Sequence, residues 1–297
     1  MTAAAQLRFY DVTSADGTRL RCWTNDAGQN REGVPTVLLA NGLGTNPYSW
    51  PSLLDPGCGV RIISWNHRGV GGTERPASGR IGLDSYVEDA LAVMDDAGLE
   101  SAVVAAWSIG VTVSFALAEQ HPERVQGILA IAGVPGNTFA TMLAPLKVPR
   151  PVARRLTREA TRAASLVGYP IAPLIKRIPW TNAMTRMIQR TRLLNPAADP
   201  AHLRDLFQEF CTTHPVWYAR LALAVADHDR ISLSRIAVPT TFVAGRWDLL
   251  TGARDMKAAS DRIPHSRYVL ADATHFIPVE RPQLVLDELK LLLAEVG

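Results

Sequence analysis

The 297-residue chain is long enough to bury the core of one large domain that carries a smaller insertion. Its three cysteines, Cys22, Cys58 and Cys211, are odd in number and scattered without paired spacing, so neither a disulfide framework nor a cysteine metal site is implied. A net charge of +3 is too small to mark a nucleic-acid binder, and the basic residues come without a known binding motif or a stacking aromatic platform.

No basic tip with a long apolar core opens residues 1–10, so no secretory signal is expected. The longest nearly apolar run, residues 164–175, contains Pro170 and Pro173 and falls short of the roughly 20 residues a membrane span needs. A soluble, cytoplasmic protein is expected, without internal repeats or low-complexity tracts.

In chain order, residues 7–23 read as two strands joined at Asp16-Gly17, a hairpin signal. Residues 36–40 (TVLLA) are an apolar strand running into Asn41-Gly42-Leu43-Gly44, a turn loose enough to present the Leu43 N–H. Residues 60–65 (VRIISW) are a further strand, followed by Asn66-His67-Arg68-Gly69-Val70-Gly71-Gly72-Thr73. Glu74 stands where the third glycine of a dinucleotide fingerprint belongs, and that reading fails. Residues 102–106 (AVVAA) read as a buried parallel strand, and residues 111–120 (VTVSFALAEQ) as a helix stopped by His121-Pro122. Within Ala106-Trp107-Ser108-Ile109-Gly110, Ser108 therefore sits on the turn between them. So sharp a turn excludes large side chains two positions before and after the serine. It aims Oγ over the sheet edge and leaves the Ile109 N–H at a helix N-terminus, where negative charge is welcome.

Residues 128–132 (ILAIA) form the next strand, and Gly133-Val134-Pro135-Gly136-Asn137 after it contain no carboxylate. Between Gly136 and Arg230, 14 Lys and Arg face 6 Asp and Glu in Pro-punctuated helical pieces such as residues 151–167 and 181–194. Residues 239–244 (PTTFVA) lead to Gly245-Arg246-Trp247-Asp248, and residues 267–270 (RYVL) lead through Thr274-His275 to Glu280-Arg281-Pro282. Asp227 and Asp229 rank below Asp248 as functional carboxylates because they follow a helical stretch, not a strand. His67, His121, His202, His214, His228 and His265 lack the setting of His275 and are expected on the solvated surface.

Taken together, these segments resemble the α/β-hydrolase superfamily, with Ala106 for a commoner glycine, Asn41-Gly42 for His-Gly, Asn66 for aspartate and Thr274 for glycine. The order Ser108, Asp248, His275 is that of this fold and not of chymotrypsin or subtilisin. The resemblance implies an α/β fold with a doubly wound, mostly parallel sheet, a core of residues 1–135 and 231–297, and a helical cap of residues 136–230. It implies Ser108 as nucleophile, His275 as base, Asp248 as its orienting acid, and the Leu43 and Ile109 N–H groups as oxyanion hole.

The activity expected is cleavage of a small-molecule carboxylic ester with an apolar acyl or aromatic group, with no cofactor and no metal. Asn41, Trp107, Trp180 and Trp217 are expected near the substrate. Of the cap's bulky apolar residues, among them Leu146, Leu166, Val167, Tyr169, Leu174 and Met187, some should face the cleft and most should pack on the core. The cap is read first as a pocket lid; weak peripheral contact with an anionic membrane through its arginines stays open. The alternatives are a carbon–carbon bond hydrolase with cap arginines polarising a dienoate, a metal-free haloperoxidase or perhydrolase, and a catalytically silent binding protein. The sequence does not indicate an oligomeric state.

Overall fold

Eight strands form one sheet: β1 (Arg8–Thr13), β2 (Arg19–Thr24), β3 (Thr36–Ala40), β4 (Arg61–Trp65), β5 (Ala102–Trp107), β6 (Val125–Ile131), β7 (Thr240–Gly245) and β8 (Arg267–Ala271). The computed structural model describes residues 7–26, 33–45, 47–143, 146–191, 193–226, 228 and 231–297. The strand order is β1-β2-β4-β3-β5-β6-β7-β8. β1 and β2 are an antiparallel hairpin, β2 pairs antiparallel with β4, and β3 to β8 run parallel. β5 is buried along its whole length, with Val104 and Ala106 in one hydrophobic cluster and Val103, Ala105 and Trp107 in the other. Continuous apolar strands are what a parallel sheet covered on both faces requires.

The covering helices are α1 (Pro51–Leu54), α2 (Leu83–Asp96), α3 (Ile109–Gln120), α4 (Thr138–Thr141), α5 (Arg150–Lys176), α6 (Asn182–Arg190), α7 (Pro200–Phe210), α8 (Pro215–Val225), α9 (Ala253–Ser260), α10 (Ile277–Glu280) and α11 (Pro282–Val296). α4 to α8 all lie in the chain between β6 and β7. The connection leaving β3 goes to β4 on one side, whereas β5 lies on β3's other side and leads on to β6. A crevice opens outside the carboxyl ends of β3 and β5 at such a switch point, and open α/β sheets bind ligands there.

α5 departs from the expected helix of residues 151–167, because it continues through Pro170 and Pro173 to Lys176. Each proline lacks one N–H donor. Both prolines are exposed, so water can solvate the carbonyls they leave without partners. The inner side of α5 carries small buried residues, Ala153, Gly168 and Ala172. A Cβ at Gly168 would stand 2.9 Å from Val216 Cγ2, so glycine lets α5 lie close on α8. Leu146, Leu166, Val167, Tyr169, Leu174 and Met187 are all exposed, contrary to the expectation that they face the cleft or the core. Among the described residues, no helix is long and apolar enough to cross a membrane.

His67 is likewise not at the surface: it is buried beneath Tyr86, with ring centroids 4.9 Å apart. His121, His202 and His214 are half-buried, and His228 and His265 are exposed. Asp227 and Asp229 lie outside the described residues.

Candidate active site

Ser108 ends the run of β5 and precedes the first residue of α3 with φ 56° and ψ −118°, a conformation that non-glycine residues rarely adopt. Close packing holds the chain there. A Cβ at Gly110 would fall 2.1 Å from the Ala40 carbonyl oxygen, so only glycine lets the start of α3 meet the end of β3. Ala106 lies inside β5, where the backbone is extended and alanine is no strain.

Three side chains from three separate segments converge at this turn. Ser108 Oγ and His275 Nε2 are 2.9 Å apart, and His275 Nδ1 and Asp248 Oδ2 are 2.9 Å apart. Asp248 follows β7 and is fully buried, and its Oδ1 accepts the Leu250 and Thr251 N–H groups, each at 2.8 Å. That leaves Oδ2 for the imidazole. His275 is fixed through its backbone as well, since Trp107 Nε1 donates to the His275 carbonyl at 2.9 Å.

The loop that carries His275 is tied down by Glu280, whose role the sequence did not disclose. This buried carboxylate accepts the Thr274 N–H at 2.7 Å, the Thr274 hydroxyl at 2.7 Å and the Asn195 N–H at 2.9 Å. Thr274, standing where the family has glycine, thus gains a second anchoring bond. The signal was available in the spacing of Glu280 after Thr274, but only the fold shows that the carboxylate turns back.

A cavity of about 180 Å³ reaches Ser108 and His275. Leu43 and Ile109 both line it, and Ile109, as the first residue of α3, has an N–H with no acceptor within the helix. The remaining lining includes Thr138, Phe139 and Met142 from around α4, Leu206, Phe207 and Phe210 from α7, and Tyr218 and Ala222 from α8. Burial pushes the Tyr218 phenol up to about 12, so it is a neutral donor at neutral pH. Among the described lining residues, His275 is the sole titratable group besides Tyr218, and none is Asp, Glu, Lys or Arg. Arg150, Arg154, Arg155 and Arg158 border a different depression, which the start of α5 shares with Asn137 and Ala140.

Of the four residues expected near substrate, Trp107 lines the cavity and the other three do not. Asn41 is buried at the end of β3: its Nδ2 donates to Ser64 Oγ and the Trp65 carbonyl, and its Oδ1 accepts from Trp50 Nε1 at 2.8 Å. It joins strand ends in place of the family's histidine. Trp180 stacks on Phe207, with ring centroids 4.8 Å apart, one layer behind the cavity wall. Trp217 points to the loop after β4, where its Nε1 donates to the Arg68 carbonyl at 2.8 Å and the Arg75 guanidinium lies over its ring.

Comparison with known proteins finds similar chains and folds. Epoxide hydrolase A of Mycobacterium tuberculosis is 28% identical, with 91% of this chain and 92% of that protein covered. 3-Oxoadipate enol-lactonase 2 of Acinetobacter baylyi is 25% identical, with 84% and 85% covered. The crystal structure of a hydrolase from Pseudomonas aeruginosa PA01 superposes with a TM-score of 0.71 at 24% identity, covering 98% of this chain and 99% of that one. The family model described as alpha/beta hydrolase fold matches residues 35–282, and the chain therefore belongs to the alpha/beta hydrolase fold family.

Proposed function

We propose that the protein is a serine hydrolase that cleaves uncharged carboxylic esters with a compact apolar acyl or aromatic group. The observation that carries this reading is the unbroken Ser108–His275–Asp248 relay opening into a cavity whose described walls bear no Asp, Glu, Lys or Arg side chain. Ser108 Oγ attacks the ester carbonyl while His275 Nε2 takes its proton and returns it to the leaving alcohol. Asp248 holds the imidazole in the tautomer that accepts at Nε2 and stabilises the imidazolium. The Leu43 and Ile109 N–H groups receive the oxyanion; such donors are worth about 3 kcal/mol each. Water then attacks the acyl-enzyme with His275 as base.

The walls also speak on substrate class. A carboxylate or dienoate substrate would bury its charge against Phe, Leu and Met with no counter-ion, a cost of several kcal/mol. This disfavours the carbon–carbon bond reading, since no described arginine lines the cavity and Arg150, Arg154, Arg155 and Arg158 border the other depression instead. Epoxide opening by Ser108 would leave an ether that His275 and water could not hydrolyse, so the activity named for the epoxide hydrolase relative does not suit this nucleophile. Cleavage of an enol-lactone, a cyclic ester, is the same acyl transfer as proposed here. Since a dry cavity of about 150 Å³ holds benzene, the volume suits short acyl chains or a benzoyl group.

A fluorophosphonate probe should label Ser108 in the intact chain, and an ester panel should give highest kcat/KM for short acyl or benzoyl groups, falling by ten carbons. Absence of labelling, together with no hydrolysis of any ester, would refute the proposal.

A further inference from the structure

The feature that ester hydrolysis leaves unexplained is α5, an amphipathic helix mounted with its large apolar residues outward. At about 100° per residue, Val152, Leu156, Ala163, Val167, Pro170 and Leu174 fall within about 60° of one another, and Leu166 lies beside them. All seven are exposed, Leu166 at 78% and Leu174 at 67%. The stripe runs along a helix about 40 Å long. Isolated exposed apolar residues are ordinary on soluble proteins, but a row over the 23 residues from Val152 to Leu174, broken only by Glu159, which pairs with Arg162, is not.

Charge lies beside the row. Arg155, Arg162 and Lys176 are exposed along one flank of α5. Between Lys147 and Arg192 the chain carries eleven Lys and Arg against one acidic residue, Glu159, a net charge of +10. α6 adds exposed Arg186 and Arg190 around Met187, which is 62% exposed.

We infer that α5 docks on an anionic lipid surface, lying in the interface with the Leu156–Leu174 row among the acyl chains and the basic flank among anionic headgroups. Apolar row, basic flank and a length too polar to span are the makings of an interfacial helix. A second copy of the chain is the competing occupant, and charge argues against it. A two-fold contact would set the same patch against itself and bring two +10 segments together, whereas an anionic surface neutralises both. The inference does not depend on the ester chemistry, because α5 contributes no described residue to the cavity wall.

The test uses the full chain with vesicles of phosphatidylglycerol or of phosphatidylcholine alone. Partition should be at least tenfold stronger on phosphatidylglycerol and should fall steeply between 0.05 and 0.5 M salt, as the screening length drops from over 10 Å toward a few ångströms. Reversal of Arg155 and Arg162 to Glu should weaken partition at least about tenfold, and Leu166→Glu with Leu174→Glu should do so even at low salt. Because those variants could fail to fold, a second measurement uses Val167→Cys carrying an environment-sensitive fluorophore. Cys22, Cys58 and Cys211 are buried, so labelling is selective. Its emission should shift to the blue on phosphatidylglycerol vesicles and be quenched by a lipid-borne quencher, while the same label at Glu295→Cys, on α11, should not respond. Equal partition on both lipids, an unresponsive Val167→Cys label, or lipid-free dimers that the Leu166 and Leu174 changes dissociate would each overturn the inference.

Discussion

At the scale of single residues, Ser108 trades stability for exposure. Its φ of 56° with ψ −118° costs on the order of 1–3 kcal/mol for a side chain bearing a Cβ. Ser108→Gly should therefore stabilise the fold by about 1 kcal/mol, after allowing for glycine's extra unfolded-state freedom, while ester hydrolysis is lost. Ser108→Ala should lower kcat by about 10⁴ to 10⁶-fold without that gain in stability, and adding His275→Ala should cost little more, since the two act as a unit. Urea unfolding and steady-state kinetics on the same three proteins decide it; a Ser108→Gly protein less stable than wild type would contradict the strain argument. His67 carries the second residue-scale prediction. Burial pushes its imidazole down to about 4, from an ordinary value near 6.5. The unfolded chain takes up this proton below about pH 6.5 and the folded chain does not, so stability falls as pH drops from 6.5 toward 4, by about 3 kcal/mol. His67→Phe, which keeps a ring against Tyr86, should flatten that part of the stability curve when urea midpoints are compared at pH 7 and pH 4.5. Unchanged acid sensitivity would count against it. Nothing near His67 in the chain announces its burial: its neighbour Arg68 suggests solvent, and the carboxylates that let Arg68 be buried lie far away in sequence.

Elements meet through that same arginine. Arg68 is fully buried, with Nε and Nη2 on the two oxygens of Asp89 in α2 at 2.9 and 2.7 Å, and Nη1 on Asp16 of the β1–β2 hairpin at 2.6 Å. Burial by itself would raise Asp16, but hydrogen bonds from Ser78, Thr18 and Arg68 outweigh it and hold the carboxyl well below the usual range. Hairpin, β4 loop and α2 thus share one ion cluster, and Trp217 ties α8 to it through the Arg68 carbonyl. Removing one partner strands buried charge, so Arg68→Ala should lower the unfolding free energy by about 3–5 kcal/mol. Arg68→Met with Asp89→Leu should cost less than the two single changes added together. A loss under 1 kcal/mol for Arg68→Ala would show the cluster to be incidental. Elements were legible in the sequence where a periodic run ended in small residues: β3, β5 and β7 fall within a residue or so of their expected spans, and β6 starts three residues earlier than expected. The orientation of α5 was not. Its apolar period is plain, but which side meets the protein is decided by Ala153, Gly168 and Ala172, whose small size allows close approach to α8 and sends the larger groups outward. Trp180 and Trp217 were misplaced for a related reason, since an aromatic residue in a cap can serve the layer behind the wall as well as the wall.

For the whole molecule, the proposed site depends on segments distant in the chain, because Ser108 and His275 are 167 residues apart and Trp107 bonds the His275 carbonyl across 168. Such contacts are long-range by the nature of a parallel sheet, and they form late. Ester hydrolysis during refolding from urea should therefore return only with the slowest fluorescence phase. Activity that reappears with the earliest phase would show that the turn, the histidine loop and the cap assemble independently. The order of segments made this juxtaposition readable from the sequence, whereas the cavity's lack of ions was not, because it depends on which faces α7 and α8 turn inward. Distance along the chain also has a consequence in time. A ribosome adding about 5–20 residues per second synthesises Ser108 roughly ten to thirty seconds before His275. Through that interval the nascent chain carries an ordinary alcohol. The proposed Ser108–His275 pair can form only once the last strand and its loop have been made, so synthesis order by itself delays the proposed activity until the chain is nearly complete.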